Sequence, residues 1–170
     1  TAIRTRGFWL GTNLITALIA ASVINIFKDT LEQVIFLAVL MPIIASMGGV
    51  AATQTLTITV RGLALGQIVK ANYLYLFNRE LIVGISNGFL WAVILSLIAC
   101  TWFQDWLLAW VICLSMIINL TAGVLSGMGI PILLRSLKLD PAVAGSVIVT
   151  TVTDVIGFFS FLGLASYFYS

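Results

Sequence analysis

Asp154 stands in VIVTTVTDVIGFFSFLGL, one of the most apolar runs of the chain. A carboxylate there can hold a cation, carry a proton, or sit protonated in a hydrogen bond to another helix. Thr150 and Thr151 lie four and three residues before it. In a helix their hydroxyls share its face. Gly157, three residues on, leaves room beside it. No basic side chain falls inside any long apolar run, so the counter-charge is a proton or a mobile cation. The default meaning of such a residue is an ion pathway.

A second candidate is LMPIIASMGGVAATQTLTITVRG. Pro42 removes a backbone donor, and Ser46, Gly48 and Gly49 follow closely. The expectation is a helix broken near Pro42–Gly49, whose carbonyl oxygens face a cation; a simple kink is the alternative. Unwound backbone at membrane depth is tolerated where protein or water covers it. Ala45 and Gln54 flank the stretch, and Thr53, Thr55, Thr57 and Thr59 make its second half polar. Asn119 is a deep amide with Ser115 and Gly123 on its face, and it also suits an ordinary interhelical hydrogen bond. The expected metal set is Asp154, Ser46, Gly48, Gly49, Thr150 and Thr151. The expected pore lining is Pro42, Ala45, Gln54, Asn119 and Gly157.

These residues need a scaffold that suits lipid. Hydrophobic residues make up 61% of the 170, and charged residues 8%. A soluble surface would need more charge. A net charge of +2 gives no argument for a nucleic-acid partner. There is no histidine, and Cys100 and Cys113 lack CxxC spacing, so zinc or copper chemistry is not expected. Apolar runs at about 8–27, 34–60, 81–103, 106–134 and 142–169 are each long enough to cross ~30 Å of hydrocarbon as a helix. The fold class expected is an all-α membrane protein of five transmembrane helices, one domain over 1–170. Residues 62–80 read as an amphipathic interfacial segment. Trp9, Trp102, Trp106 and Trp110 sit near the predicted ends, as interfacial tryptophans do.

Charge then sets direction. With the N-terminus cytoplasmic, only Lys28 of the eight basic residues lies outside, and the C-terminus ends outside. The pairs Gly7/Gly11, Gly84/Gly88 and Gly123/Gly127 permit close helix packing. The chain opens on Thr1 and not Met, which suggests a piece of a longer protein. The first run is a poor match to a signal peptide.

The donor set is one carboxylate, hydroxyls, amides and carbonyls, which suits hard cations. One carboxylate balances a divalent ion poorly. A homodimer with a central pore near its two-fold axis would bring two Asp154 side chains to one ion. Mg²⁺ dehydrates reluctantly, so a pore that holds it hydrated needs only small polar groups and an anionic ring.

Three stretches in order carry a resemblance: MPIIASMGGVAATQ with VRGLALG, then NLTAGVLSGMGIPILLRSLKLDPAVAG, then TTVTDVIGFFSFLGLA. They resemble the transmembrane domain of the MgtE-type magnesium channels, which are related to a family of eukaryotic carriers. The resemblance covers nearly the whole chain. It implies a homodimer in the bacterial plasma (inner) membrane, a central Mg²⁺-selective pore and Asp154 as the ion-recognition residue. Backbone oxygens around Ser46 to Gly49 and polar groups near Thr150 would complete the site. It also implies that Asp140, in KLDPA, sits at the cytoplasmic mouth, where a cytosolic regulatory domain docks. Bacterial members carry such a domain with CBS modules. After the double glycine the family has asparagine, whereas Val50 stands here. The reading is passive Mg²⁺ uptake, with Mn²⁺ or Co²⁺ as further ions. A Na⁺- or H⁺-coupled carrier using the same site is the first rival. A membrane-embedded enzyme or a pure assembly subunit is the second, although the acids are scattered and not clustered.

Overall fold

The computed structural model describes all 170 residues. It is all-helical: α1 (Ala2–Ile26), α2 (Lys28–Gln33), α3 (Phe36–Ala64), α4 (Tyr73–Phe103), α5 (Trp106–Ser136) and α6 (Val143–Tyr169), with a single 3₁₀ turn at Lys70–Asn72. All but α2 are long and apolar enough to cross a membrane. The five-span expectation is met. α1 begins nearer the terminus than its apolar run does, because polar residues near the start extend the helix without breaking it.

α5 is the central helix. It packs against α3, α4 and α6, and α6 in turn carries α1. Around α5 lies one apolar core that includes Leu37, Ile44, Leu108, Ile112, Met116 and Phe161. Small residues set the close approaches. A side chain at Gly84 or Gly88 would press on Val124 or Ile117 of α5, and one at Gly127 would strike the carbonyl of Ala52 on α3. Gly7 and Gly11 have no such neighbour. Two of the three glycine pairs therefore pack helices within the chain, and the first faces outward.

The expected break in α3 is absent: the helix is continuous from Phe36 to Ala64 with Pro42 inside it. Pro42 lies in its second turn and removes only its own donor, so one ladder bond is lost. The carbonyls from Ser46 to Gly49 stay in helical backbone. Gly48 serves a different purpose, since an added Cβ there would collide with the Asn119 amide of α5.

Residues 62–80 also differ from the single interfacial segment expected. Gly66 adopts a left-handed φ of 70° as α3 ends, and the Gly62 carbonyl accepts the Gln67 and Ile68 amides at 2.9 and 3.2 Å. The Asn72 side chain then accepts the Val69 amide at 3.0 Å and donates to the Gln67 carbonyl at 2.9 Å. From Tyr73 onward the chain is already α4. The aromatic stretch YLYLFNRE is thus the first part of a long helix and not a separate element.

The α4–α5 turn is shorter still. Gln104 takes a left-handed conformation and closes α4, and Asp105 caps α5 by accepting the amides of Leu107 and Leu108. The Tyr169 hydroxyl also donates to Asp105, fastening the end of α6 to the start of α5. At the other end of α5, Arg135 donates to the Leu63 carbonyl and satisfies the terminus of α3. Cys100 and Cys113 are free thiols.

Candidate cation site

α3, α5 and α6 meet at one crossing built from glycines and an amide. The Asn119 amide nitrogen donates to the Ile44 carbonyl at 2.8 Å. Gly48 and Gly157 both lie against that amide, and Gly123 lies against the Gly48 carbonyl and the Thr153 methyl. Asn119 Oδ1 is buried with no partner. This crossing fixes the height of Asp154. Thr153, its neighbour, is wholly buried, and its hydroxyl lies 3.9 Å from where a Cβ on Gly49 would be. Asp154 therefore stands beside the Gly48–Gly49 level of α3.

Four residues expected to line a pore or donate to an ion are enclosed by the chain's own helices: Ala45, Gly48, Asn119 and Gly157. The reason is close packing. Small residues at these positions let three helices approach around one amide, so no face remains open. Asn119 is the interhelical hydrogen bond and not a pore group.

The other expected residues do reach the surface. On α3, Ser46, Thr53, Gln54 and Thr57 are exposed, as is Pro42, and Gly49 is half-buried. On α6, Ser146 and Thr150 are exposed, while Thr151 and Asp154 are half-buried. Ser146, Thr150 and Asp154 follow a spacing of four and form one row. Val50 is 53% exposed beside Ser46 and Thr53 and interrupts the polar strip of α3.

The hydroxyls share one arrangement. Thr53 donates to the Gly49 carbonyl at 2.9 Å, and Thr57 to that of Thr53 at 2.9 Å. Thr150 donates to Ser146 at 2.7 Å, and Thr151 to Val147 at 2.8 Å. Each proton is used on the helix's own backbone. The remaining oxygen lone pairs are acceptors. Water bound to a cation presents only hydrogens outward, so a row of acceptors ending at a carboxylate is suited to a hydrated cation.

Some polar groups outside the expected set also reach cavities. Asn13 of α1 lines a cavity of about 300 Å³ with Thr150, Ser146 and Arg6. Glu80 and Asn87 of α4 line another of about 480 Å³ with Gln54 and Thr55. Asn13 and Asn87 are isolated amides within apolar runs, and that is the signal that could have found them. Glu80 carries no such signal, since it falls in a polar gap. Asp140 is exposed, and its side chain accepts the Ala142 amide at 3.0 Å at the entry to α6.

Five helices long and apolar enough to cross a membrane define an integral membrane protein. Residues 41–164 match the MgtE family, described as divalent cation transporter, and the chain belongs to that family. It is 35% identical over 160 residues to the magnesium transporter MgtE of Bacillus subtilis, covering 94% of this chain and 36% of that protein. It is 30% identical to the magnesium transporter MgtE of Enterococcus faecalis, covering 94% of this chain and 35% of that one. For the magnesium transporter MgtE of Thermus thermophilus the identity is 29%, covering 92% and 35%. The chain thus spans about a third of the length of these relatives.

Proposed function

We propose that this chain is the transmembrane domain of a Mg²⁺ channel, and that two copies enclose the ion path between them. One observation carries the reading. The polar strip of α3 and the row ending at Asp154 reach the outer surface of a single chain, while its interior is apolar core. Facing lipid, an aspartate near mid-span costs about 2.5–3.5 kcal/mol. A second copy, related by a two-fold axis beside α3 and α6, covers these groups and brings two Asp154 carboxylates to one divalent ion. Two negative charges match the charge of Mg²⁺, and the hydroxyl acceptors hold its water shell without stripping it.

The names of the relatives support Mg²⁺ as the ion. Their greater length supports a further, cytosolic regulatory domain in the whole protein. In this reading Asp140 lies at the cytoplasmic mouth, with the N-terminus on the cytoplasmic side of the bacterial inner membrane and the C-terminus outside. Movement is passive, down gradient and voltage.

The test is Mg²⁺ flux into proteoliposomes holding wild type or Asp154→Ala. Wild type should conduct without a Na⁺ or pH gradient, and the variant should lose at least ~100-fold while still forming dimers. Wild-type flux in the variant would overturn the site. Flux that requires a second ion gradient would replace the channel with a coupled carrier.

A further inference from the structure

α3 and α4 meet only sparsely, as at the Thr55–Glu80 hydrogen bond; both rest on α5. A groove is left between them, floored by Leu120 and Val124 of α5. Its two ends differ. At the end near the start of α4 it holds Gln54, Thr55, Arg79, Glu80 and Asn87. Beyond Trp91 it continues as a purely apolar cavity of about 150 Å³, sharing Met47 and Trp91 with the first and lined further by Ile43, Ile94 and Ile98.

The charges at the polar end are paired but not sealed. Glu80 has a side chain only 12% exposed, with Arg79 at 3.5 Å and the Thr55 hydroxyl donating to it at 3.5 Å. Arg79 is 53% exposed, so much of its guanidinium still faces outward. A metal ion would meet that guanidinium, which argues against a cation site. A simple anion would meet the Glu80 carboxylate. A ligand carrying both signs a few ångströms apart meets neither objection. Trp91 lies eleven residues beyond Glu80, roughly 16 Å along the helix. That is about half of a ~30 Å hydrocarbon layer, the depth of one leaflet.

We propose that the α3–α4 groove binds one phospholipid with a primary-amine headgroup, such as phosphatidylethanolamine. Arg79 donates to its phosphate, Glu80 accepts from its ammonium, and one acyl chain lies past Trp91 over Met47. The groove shares Val50 and Gln54 with the polar strip of α3, but its charged pair and apolar end lie on the α4 side, away from Asp154.

The experiment is native mass spectrometry of the purified protein in equal mixtures of phosphatidylethanolamine, phosphatidylcholine and phosphatidylglycerol. Wild type should retain one ethanolamine lipid per chain at least roughly fivefold over the others. The choline headgroup competes poorly because it has no N–H to give Glu80. E80Q should lose the preference over choline, and R79Q should weaken retention of all three lipids. Val83→Trp, placed in the groove wall, should exclude the lipid. Equal retention of the three lipids by wild type overturns the proposal. So does efficient disulfide formation between two chains carrying Val83→Cys, which would make the groove a contact between copies.

Discussion

The Asn119 amide nitrogen reaches across the α5–α3 crossing to the Ile44 carbonyl at 2.8 Å, while its own oxygen has no partner. One amide thus spaces the two helices and carries a cost of its own. The bond is worth about 1 kcal/mol in a membrane interior, and the unpartnered oxygen offsets part of it. Asn119→Leu removes both while filling the space. It should stay within about 1 kcal/mol of wild type, whereas Asn119→Ala, which leaves a cavity, should lose about 1–2 kcal/mol. Unfolding in mixed detergent and denaturant measures both, and the reverse order would discount the amide's part in spacing the crossing.

Gly48 and Gly49 are neighbours with opposite tolerance. A methyl at Gly48 collides with the Asn119 side chain, whereas one at Gly49 meets only the Thr153 hydroxyl at ordinary contact distance. Gly48→Ala should destabilise by about 1–3 kcal/mol, and Gly49→Ala by less than about 0.5 kcal/mol. Thermal aggregation of the detergent-solubilised variants separates them. Equal losses would show that the α3–α5 approach is looser than the crossing requires.

Thr150 offers its oxygen at the step before Asp154, with its proton held by the Ser146 carbonyl. If that oxygen accepts from the water shell of the ion, Thr150→Val should slow Mg²⁺ flux roughly fivefold, the equivalent of about 1 kcal/mol. Thr150→Ser should retain most of the flux. A fluorescent Mg²⁺ indicator inside proteoliposomes reads the rates, and unchanged flux in the valine variant would take Thr150 out of the ion path.

Much of this was legible from residue order. Charges and apolar length marked the five spans, and Asp154 stood out because lipid-depth carboxylates are rare. The Gly84/Gly88 and Gly123/Gly127 pairs marked real packing. The inward and outward faces were less readable, because a lipid-facing side is as apolar as a core-facing one and the helical period carries little contrast. That is why Gly48 read as a break, and why Asn119 was open to both a pore lining and the interhelical hydrogen bond that it makes. The residue that explains Gly48 is on another helix, 71 positions away. Glu80 was hidden for a related reason: the part of the polar gap containing it, from Tyr73 on, is the first turns of α4.

The two-residue join at Gln104 and Asp105 bears on assembly. α4 and α5 are each 31 residues long, and almost nothing separates them in the chain. Closing so short a loop costs little entropy, so this pair can zip together before distant partners arrive. The innermost helix then enters the bilayer with one flank already covered. A fragment of residues 73–136 should insert as a hairpin, with a cysteine at position 104 open to labelling from one side only. α3 and α6, which bring the acceptor rows and Asp154, join a template that is already standing. On that order α3 and α6 dock after the α4–α5 hairpin has closed, although α3 is synthesised first.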